Sequence, residues 1–374
     1  MTSRKIVLGL VAGLVSLCLV DIGLRNFVEP LNYLKPTPID DPALGHRLAP
    51  GSGGHDAWGF RNPNVPERAD VVAIGDSQTW GVNAGWEQSW PLWYSSLTGR
   101  SVYNLGVGGY GPAEYWHLLE TRAVPLEPEL IIVGLYYGND FNDAYRSVVS
   151  RDLWTSLRTP RMEEVEVEVR PSPAQRYGLS EPLWGARAWL RRNSMLYRLL
   201  EAGPIGHAFG SWAKEIGIVR RKGCTLTTSD PFPTTFRPEA RYRSLNLEDQ
   251  AITDGVGLTL TFLERMAQDA RDRGIDFLVL LIPSKASVVV GQPDGDVDGA
   301  CARVLQQVRE SEEKVANEVR SFLERRGIDF VDALPALRAA ALAVPVYPGT
   351  TDGHPNGYGY KVIAEQVARR WESS

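Results

Sequence analysis

The chain has 374 residues, 43% of them apolar and 23% charged, with a net charge of −5. That length supports one large α/β domain with insertions or two domains, and the composition is that of a globular protein. The mildly acidic balance, with no basic stripe, excludes the electrostatic footprint of a nucleic-acid binder.

The first 40 residues differ from the rest. Arg4 and Lys5 precede an uncharged run over 6–20 that Asp21 ends, and Ile22, Gly23 and Leu24 can extend it. The run alone fits a signal-peptide core; extended to about 19 residues it crosses a bilayer with little tilt. No small-x-small cleavage pattern follows, and Leu17 stands before Cys18 where a lipoprotein signal carries a small residue. The expectation is an uncleaved signal anchor over 1–25, basic end cytoplasmic, with the rest of the chain periplasmic or extracellular. A cleaved signal peptide is the alternative and exports the same domain. Residues 26–68 are rich in Pro and Gly and read as a linker and lead-in, with His46 and His55 as solvated bystanders.

From residue 69 strands and helices alternate. The stretch ADVVAIGDSQTWG (69–81) begins as a buried strand over 70–74 and stops at Gly75-Asp76-Ser77. A helix over 88–97 ends at Gly99, and a strand over 101–105 enters the glycine cluster 106–111. A helix over 113–122 leads to a third strand, 129–137, which ends at Gly138-Asn139-Asp140. Then the rhythm breaks. Residues 141–246 contain an alternating Glu/Val run (163–169), a Trp- and Arg-rich amphipathic stretch near 183–200, and a Pro/Thr/Ser segment around 225–238. A stretch that long is expected to be an inserted subdomain, placed over the sheet's carboxyl edge as a lid or substrate-binding element. Helix 251–273, strand 276–282, helix 300–326, strand 329–331 and helix 360–371 resume the alternation, so that one α/β domain region spans 69–372. Five βα units predict an α/β three-layer sandwich, a five-stranded parallel sheet with helices on both faces.

The three cysteines are Cys18 in the anchor, Cys224 and Cys301. The last two can pair in an oxidising compartment, or stand as unrelated small apolar side chains.

A serine on the turn leaving a buried parallel strand sits where open α/β sheets bind ligands. Ser77 occupies that position, Asn139 ends another strand, and Asp352 and His354 lie in the loop before the last helix. Serine is a poor nucleophile until a base takes its proton; His354 can do so, and Asp352 can hold its imidazole in one tautomer. The tetrahedral intermediate needs donors, for which the N–H groups of Ser77 and Gly106 and the amide of Asn139 are the candidates. Trp80, three residues past Ser77, is a pocket candidate, whereas Trp86, Trp90 and Trp93 share a helical face and suit either core or a sugar platform. His117 and His207 have no ligand spacing near them, no cluster has metal spacing, and the glycine cluster lacks a Walker lysine, so neither metal nor cofactor is expected. Lys285, after Pro283-Ser284, receives no role.

These blocks resemble the SGNH (GDSL-like) esterase and acyltransferase superfamily. Gly75-Asp76-Ser77 looks like its nucleophile block, Asn104-Leu105-Gly106 its oxyanion glycine block, Asn139-Asp140 the end of its third block, and Asp352-Gly353-His354-Pro355-Asn356 its acid–base block. The resemblance covers about 69–143 and 247–371. It implies a flavodoxin-like sheet, catalytic Ser77, Asp352 and His354, an oxyanion hole of Ser77, Gly106 and Asn139, and structural roles for Asp76 and Asp140. Two positions depart from the pattern. Tyr137 replaces the glycine that opens the third block, and its ring is expected to shape the pocket beside the oxyanion hole. The acid and base are spaced Asp-x-His rather than Asp-x-x-His, as in the subset that includes the alginate O-acetyltransferases and in bacterial members with an N-terminal anchor.

The resemblance implies a membrane-anchored, exported serine esterase that removes O-acyl groups, such as acetyl, from a cell-envelope or glycan ester. The same residues also suit an O-acetyltransferase that passes the acyl group to a polysaccharide hydroxyl. An inactive glycan-binding module is a third reading, opposed by the complete catalytic set. The expected partners are the ester substrate and a membrane; the oligomeric state is open.

Overall fold

The computed structural model describes residues 3–164, 182–202, 224–229, 231–291 and 299–372; the Glu/Val run beyond residue 164 and His207 lie outside them. The chain divides into two compact units, one of residues 1–40, 46–59 and 171–222 and the other of 41–45, 60–170 and 223–374.

In the first unit, helix Ser3–Leu24 presents an apolar window, Val7–Leu24, with a mean hydropathy of 2.4 and no buried surface. It is long and apolar enough to cross a membrane, a test that a signal sequence also passes. Asp21 near its end accepts hydrogen bonds from Ser194 Oγ (2.7 Å) and the Leu196 N–H (2.9 Å). The Trp/Arg-rich stretch forms two helices, Pro182–Asn193 and Met195–Ala202. Glu201 on the second gathers Arg187 (2.9 Å), Arg191 (2.8 Å) and Arg198. The lead-in is more ordered than a tether. Leu31 and Leu34 are buried, and Arg198 Nε donates to the Tyr33 carbonyl (2.5 Å).

The second unit is built on strands β3 (Val71–Gly75), β4 (Val102–Asn104), β5 (Leu130–Tyr136), β8 (Asp276–Ile282) and β9 (Asp329–Asp332). Its β6 (Leu226–Thr228) and β7 (Thr234–Phe236) form an antiparallel hairpin; β1 (Pro38–Asp41) and β2 (Gly45–Leu48), earlier in the chain, fall mostly in the first unit. The five-stranded sheet runs β4-β3-β5-β8-β9, every neighbouring pair parallel. Its strands in chain order give the flavodoxin-like arrangement 2-1-3-4-5, whose ligand crevice opens at the carboxyl ends of the strands where the order reverses, here β3 and β5. All five residues of β3 and all seven of β5 are buried, the burial expected of strands covered on both faces.

Helices Trp90–Thr98, Leu334–Ala341 and Gly357–Glu372 cover one face, where Trp90, Tyr94, Tyr360 and Ile363 pack on Val71, Ile132 and Leu280. Helices Pro112–Leu118, Asp140–Ser150 and Gln250–Asp272 pack together in the other layer. The helix at 140–150 falls where the sequence pattern shows no rhythm. Its first turn carries the buried acids Asp140 and Asp143, which break the apolar period, while Phe141, Ala144 and Val148 still face the core. Cys224 and Cys301 form a disulfide with Cα atoms 5.9 Å apart, tying the approach to β6 to helix Ala300–Arg326.

Candidate active site

The nucleophile turn is built by β3 and its neighbour. Gly75 pairs with Gly134 of β5, and a Cβ on either would fall 2.0 Å and 2.6 Å from Thr79 Oγ1. Two facing glycines thus open the slot in which Thr79 sits, its hydroxyl meeting Trp90 Nε1 at 3.3 Å. Asp76 caps the single turn Ser77–Trp80 through the Gln78 N–H (2.8 Å), and Gly81 ends it at φ 84°, in the left-handed region glycine tolerates. Arg61, almost fully buried, clamps the far end, donating to the carbonyls of Trp80 (3.1 Å), Gly81 (2.9 Å) and Ala84 (3.0 Å).

The acid–base loop, residues 345–356, has no regular structure, and a second buried cation holds it. Lys285 opens the short helix Lys285–Val288 after β8. Its Nζ donates to the carbonyls of Thr350 (2.6 Å), Pro348 (3.2 Å), Asp352 (3.3 Å) and, on β7, Thr235 (3.3 Å). Burial lowers its pKa to about 8, against the opposing charge of Asp352.

These supports bring the sequence-distant groups together. Ser77 Oγ lies 2.8 Å from His354 Nε2, and His354 Nδ1 lies 2.6 Å from Asp352 Oδ1. The same Oδ1 accepts the His354 backbone N–H (2.9 Å), so the tight Asp-x-His spacing closes into a ring that fixes the imidazole. Burial pushes the Asp352 carboxyl up, but its hydrogen bond and charge interaction with His354 outweigh that and hold it at about 2. An ionised acceptor at Nδ1 assigns the proton there and leaves Nε2 free to accept from Ser77. Asn83, at φ 68°, donates to the His354 carbonyl (3.3 Å) from the nucleophile side.

Asn139 reaches the same edge, 3.5 Å from Asp76 Oδ2, an oxygen that lies 3.2 Å from Ser77 Oγ. Its amide N–H is directed at Asp143 Oδ2 (2.7 Å). Asp140 lies beneath, accepting from the Tyr136 N–H (2.9 Å) and Tyr115 hydroxyl (3.1 Å). Burial raises the pKa of all three acids, that of Asp143 to about 6 despite Asn139 and Arg146.

The N–H of Gly106, an expected oxyanion donor, is taken by Asn104 Oδ1 (2.8 Å). Gly108, one turn on, is the glycine of that cluster whose Cβ would approach Ser77 Cβ, at 3.6 Å. Tyr137 does not shape the pocket. Successive residues of a strand point to opposite faces, so Tyr137 turns away, stacks on Phe141 (centroids 6.0 Å apart) and is buried, while Tyr136 faces the cavity beside the catalytic loop. Trp80 is half-buried with Arg61 stacked 4.0 Å over its ring. Trp90 is fully buried core, and Trp93 Nε1 donates to the Gly357 carbonyl (3.0 Å), so that face is packing.

Sequence reasoning missed Arg61, Asn83 and Tyr136 and left Lys285 without a role. A lysine directly after a buried strand at the carboxyl edge is itself a signal, since a buried ammonium needs partners. Nothing local marks Arg61.

No protein-family model and no curated protein sequence matches the chain. Among solved structures it is similar to a catalytic mutant of an acetylxylan esterase from Geobacillus stearothermophilus (11% identity, TM-score 0.40, covering 82% of this chain and 94% of that one). It is similar also to a GDSL-like lipase from Bacteroides thetaiotaomicron (12%, 0.37, 82% and 88%). A third is a member of the lipolytic protein G-D-S-L family from Veillonella parvula (11%, 0.37, 81% and 98%). Likenesses this low carry no argument about chemistry, which rests on the distances above. In the order of its blocks, with Ser77 and Asn139 just past strand ends and Asp352 and His354 in the loop before the last helix, the chain resembles the SGNH (GDSL-like) superfamily.

Proposed function

We propose that this chain is an SGNH-type serine esterase that cleaves O-acyl esters through an acyl-enzyme, exported and held at a membrane by its N-terminal helix. One observation carries the reading: the unbroken chain Ser77 Oγ–His354 Nε2 (2.8 Å) and His354 Nδ1–Asp352 Oδ1 (2.6 Å). As Ser77 attacks the ester carbonyl, Nε2 takes the hydroxyl proton and Asp352 stabilises the imidazolium. The same proton then leaves on the departing alcohol. Water, deprotonated by the freed Nε2, attacks the acyl-enzyme and releases the acid and Ser77. The oxyanion is assigned to the Ser77 N–H and the Asn139 amide, the latter exchanging Asp143 for the developing charge. Loss of one such donor slows acyl transfer by about 10²–10³. The substrate class is an acetyl or similar ester of a glycan or other cell-envelope component.

The test is hydrolysis of 4-nitrophenyl acetate by the full chain and by Ser77→Ala, with and without a polysaccharide acceptor. Acid released without acceptor supports the esterase, with a drop of about 10⁴ or more in the variant. Acetylated acceptor with little free acid moves the assignment to an O-acetyltransferase. A rate that survives Ser77→Ala overturns both.

A further inference from the structure

Beside the acid–base loop lies a cavity of about 290 Å³ whose wall includes Tyr136, Arg237, Arg241, Lys285, Thr351 and Gly353. The last two flank Asp352. That volume is at the small end of ligand sites. Tyr136 comes from the end of β5, Arg237 and Arg241 from the chain after β7, and Lys285 from the chain after β8. A Cβ on Gly353 would stand 3.5 Å from both Tyr136 Oη and Arg241 Nη2, so the cavity touches the residue that joins acid to base.

The polar groups of this wall are donors in excess of their acceptors. Among the described residues Tyr136 Oη and Arg237 Nε are buried without a hydrogen-bond partner, and Tyr136 is 2% exposed. A buried donor left unpaired is costly, and two such donors on residues lining one cavity point to a ligand that supplies acceptors. Arg241 donates to the Gly138 carbonyl and lies 5.2 Å over the Tyr136 ring. Among the described residues no carboxylate forms an ion pair with Arg237 or Arg241. The neighbouring acids make their hydrogen bonds elsewhere, although the Arg241 charge still acts on Asp143 and Glu312, whose carboxyls burial raises and that charge lowers. Glu312 accepts the Ser284 N–H (2.8 Å) and hydroxyl, Asp352 holds His354, and Asp143 takes Asn139 and Arg146. Lys285 spends its N–H groups on backbone carbonyls and contributes charge alone.

We infer that the cavity is an anion subsite that holds a carboxylate carried by the ester substrate, with Arg237 Nε and Tyr136 Oη as donors and Arg241 as the neighbouring charge. This names a substrate class for the esterase proposed above and rests on it; the subsite itself is testable without turnover. A neutral polar group would fill the two orphan donors but leave Arg237 without a counter-ion among the described residues, which makes charge the property to vary.

The experiment is isothermal titration calorimetry of the detergent-purified full chain with glucuronate and with its neutral isostere glucuronamide. Glucuronate is expected to bind about tenfold or more tightly, the worth of one charge-assisted hydrogen bond. Arg237→Met brings the two affinities together, and Arg237→Lys, which keeps charge without Nε, retains part of the difference. Thermal melting of each variant shows that it is folded, and Tyr136→Phe provides a second variant that removes only the hydroxyl donor. Equal affinities in the wild type, or a preference unchanged in a folded Arg237→Met, overturn the subsite. An inactive protein that still prefers glucuronate loses the esterase reading and keeps the pocket; an active one without preference does the reverse.

Discussion

The two arms of the site are held by the same device to different degrees. Arg61 clamps the nucleophile turn and Lys285 the acid–base loop, each a buried cation donating to backbone carbonyls distant in sequence. The nucleophile turn has independent anchors besides: the Asp76 cap, the Gly75–Gly134 slot, and a strand buried on both sides. The acid–base loop contains neither helix nor strand and is held by tertiary and loop-internal contacts, among them Lys285, the Asp352–His354 ring and the bonds of Asn356 to Pro345 and Val346. The cations differ too. Burial lowers Arg61 only to about 10 but Lys285 to about 8, so Lys285 alone can lose its proton in mildly alkaline solution. A catalytic group on a loop is positioned by tertiary contacts; one on a strand end is positioned largely by the strand.

The sharpest cut separates chemistry from support. Asp352→Asn removes the charge that sets the imidazole tautomer, and kcat is expected to fall about 10⁴-fold with folding intact by circular dichroism. A loss under tenfold would mean that backbone contacts alone hold His354.

Next comes the loop's support. Lys285→Met leaves the carbonyls of Pro348, Thr350 and Asp352 without that donor. A displacement of about 1 Å costs on the order of 10² in kcat, and wild-type kcat should decline above about pH 8, where Lys285 deprotonates. That alkaline limb, absent from Lys285→Met, distinguishes positioning from a general loss of stability.

Arg61→Met is the matching change in the other arm. Three carbonyls lose a donor, costing about 2–4 kcal/mol of stability by urea unfolding. Activity of the folded fraction should fall only about tenfold, because the strand still places Ser77. Equal kinetic losses in the two variants would break the comparison.

The smallest effect concerns Asp143. Its folded pKa of about 6 lies above its ordinary 3.8, so its contribution to stability is full below 3.8 and is lost as pH rises through about 6. Up to about 3 kcal/mol of pH dependence follows from a shift of that size. Asp143→Asn should flatten the unfolding free energy between those pH values.

Much of this was legible in the chain itself. The buried runs 70–74, 129–137 and 276–282 announce strands because parallel sheets hide both faces, and Ser77, Asn139, Asp352 and His354 stand at strand ends or in the loop before the last helix. The possible pairing of Cys224 and Cys301 was also readable. Tyr137 was misjudged because the facing of a residue just past a strand depends on where the pleat ends, and Tyr136 faces the cavity instead. Asn104 folds back onto the N–H of Gly106, two residues later, a local bond that composition does not reveal.

By itself the sequence determined where strands and helices alternate and which residue types could perform acyl transfer, since both follow from periodicity and side-chain chemistry. Only the tertiary structure decided which donors remain free, which cations hold the two arms, and which tyrosine faces the cavity. Those depend on contacts between residues up to hundreds of positions apart, and no local pattern encodes the geometry in which such residues meet.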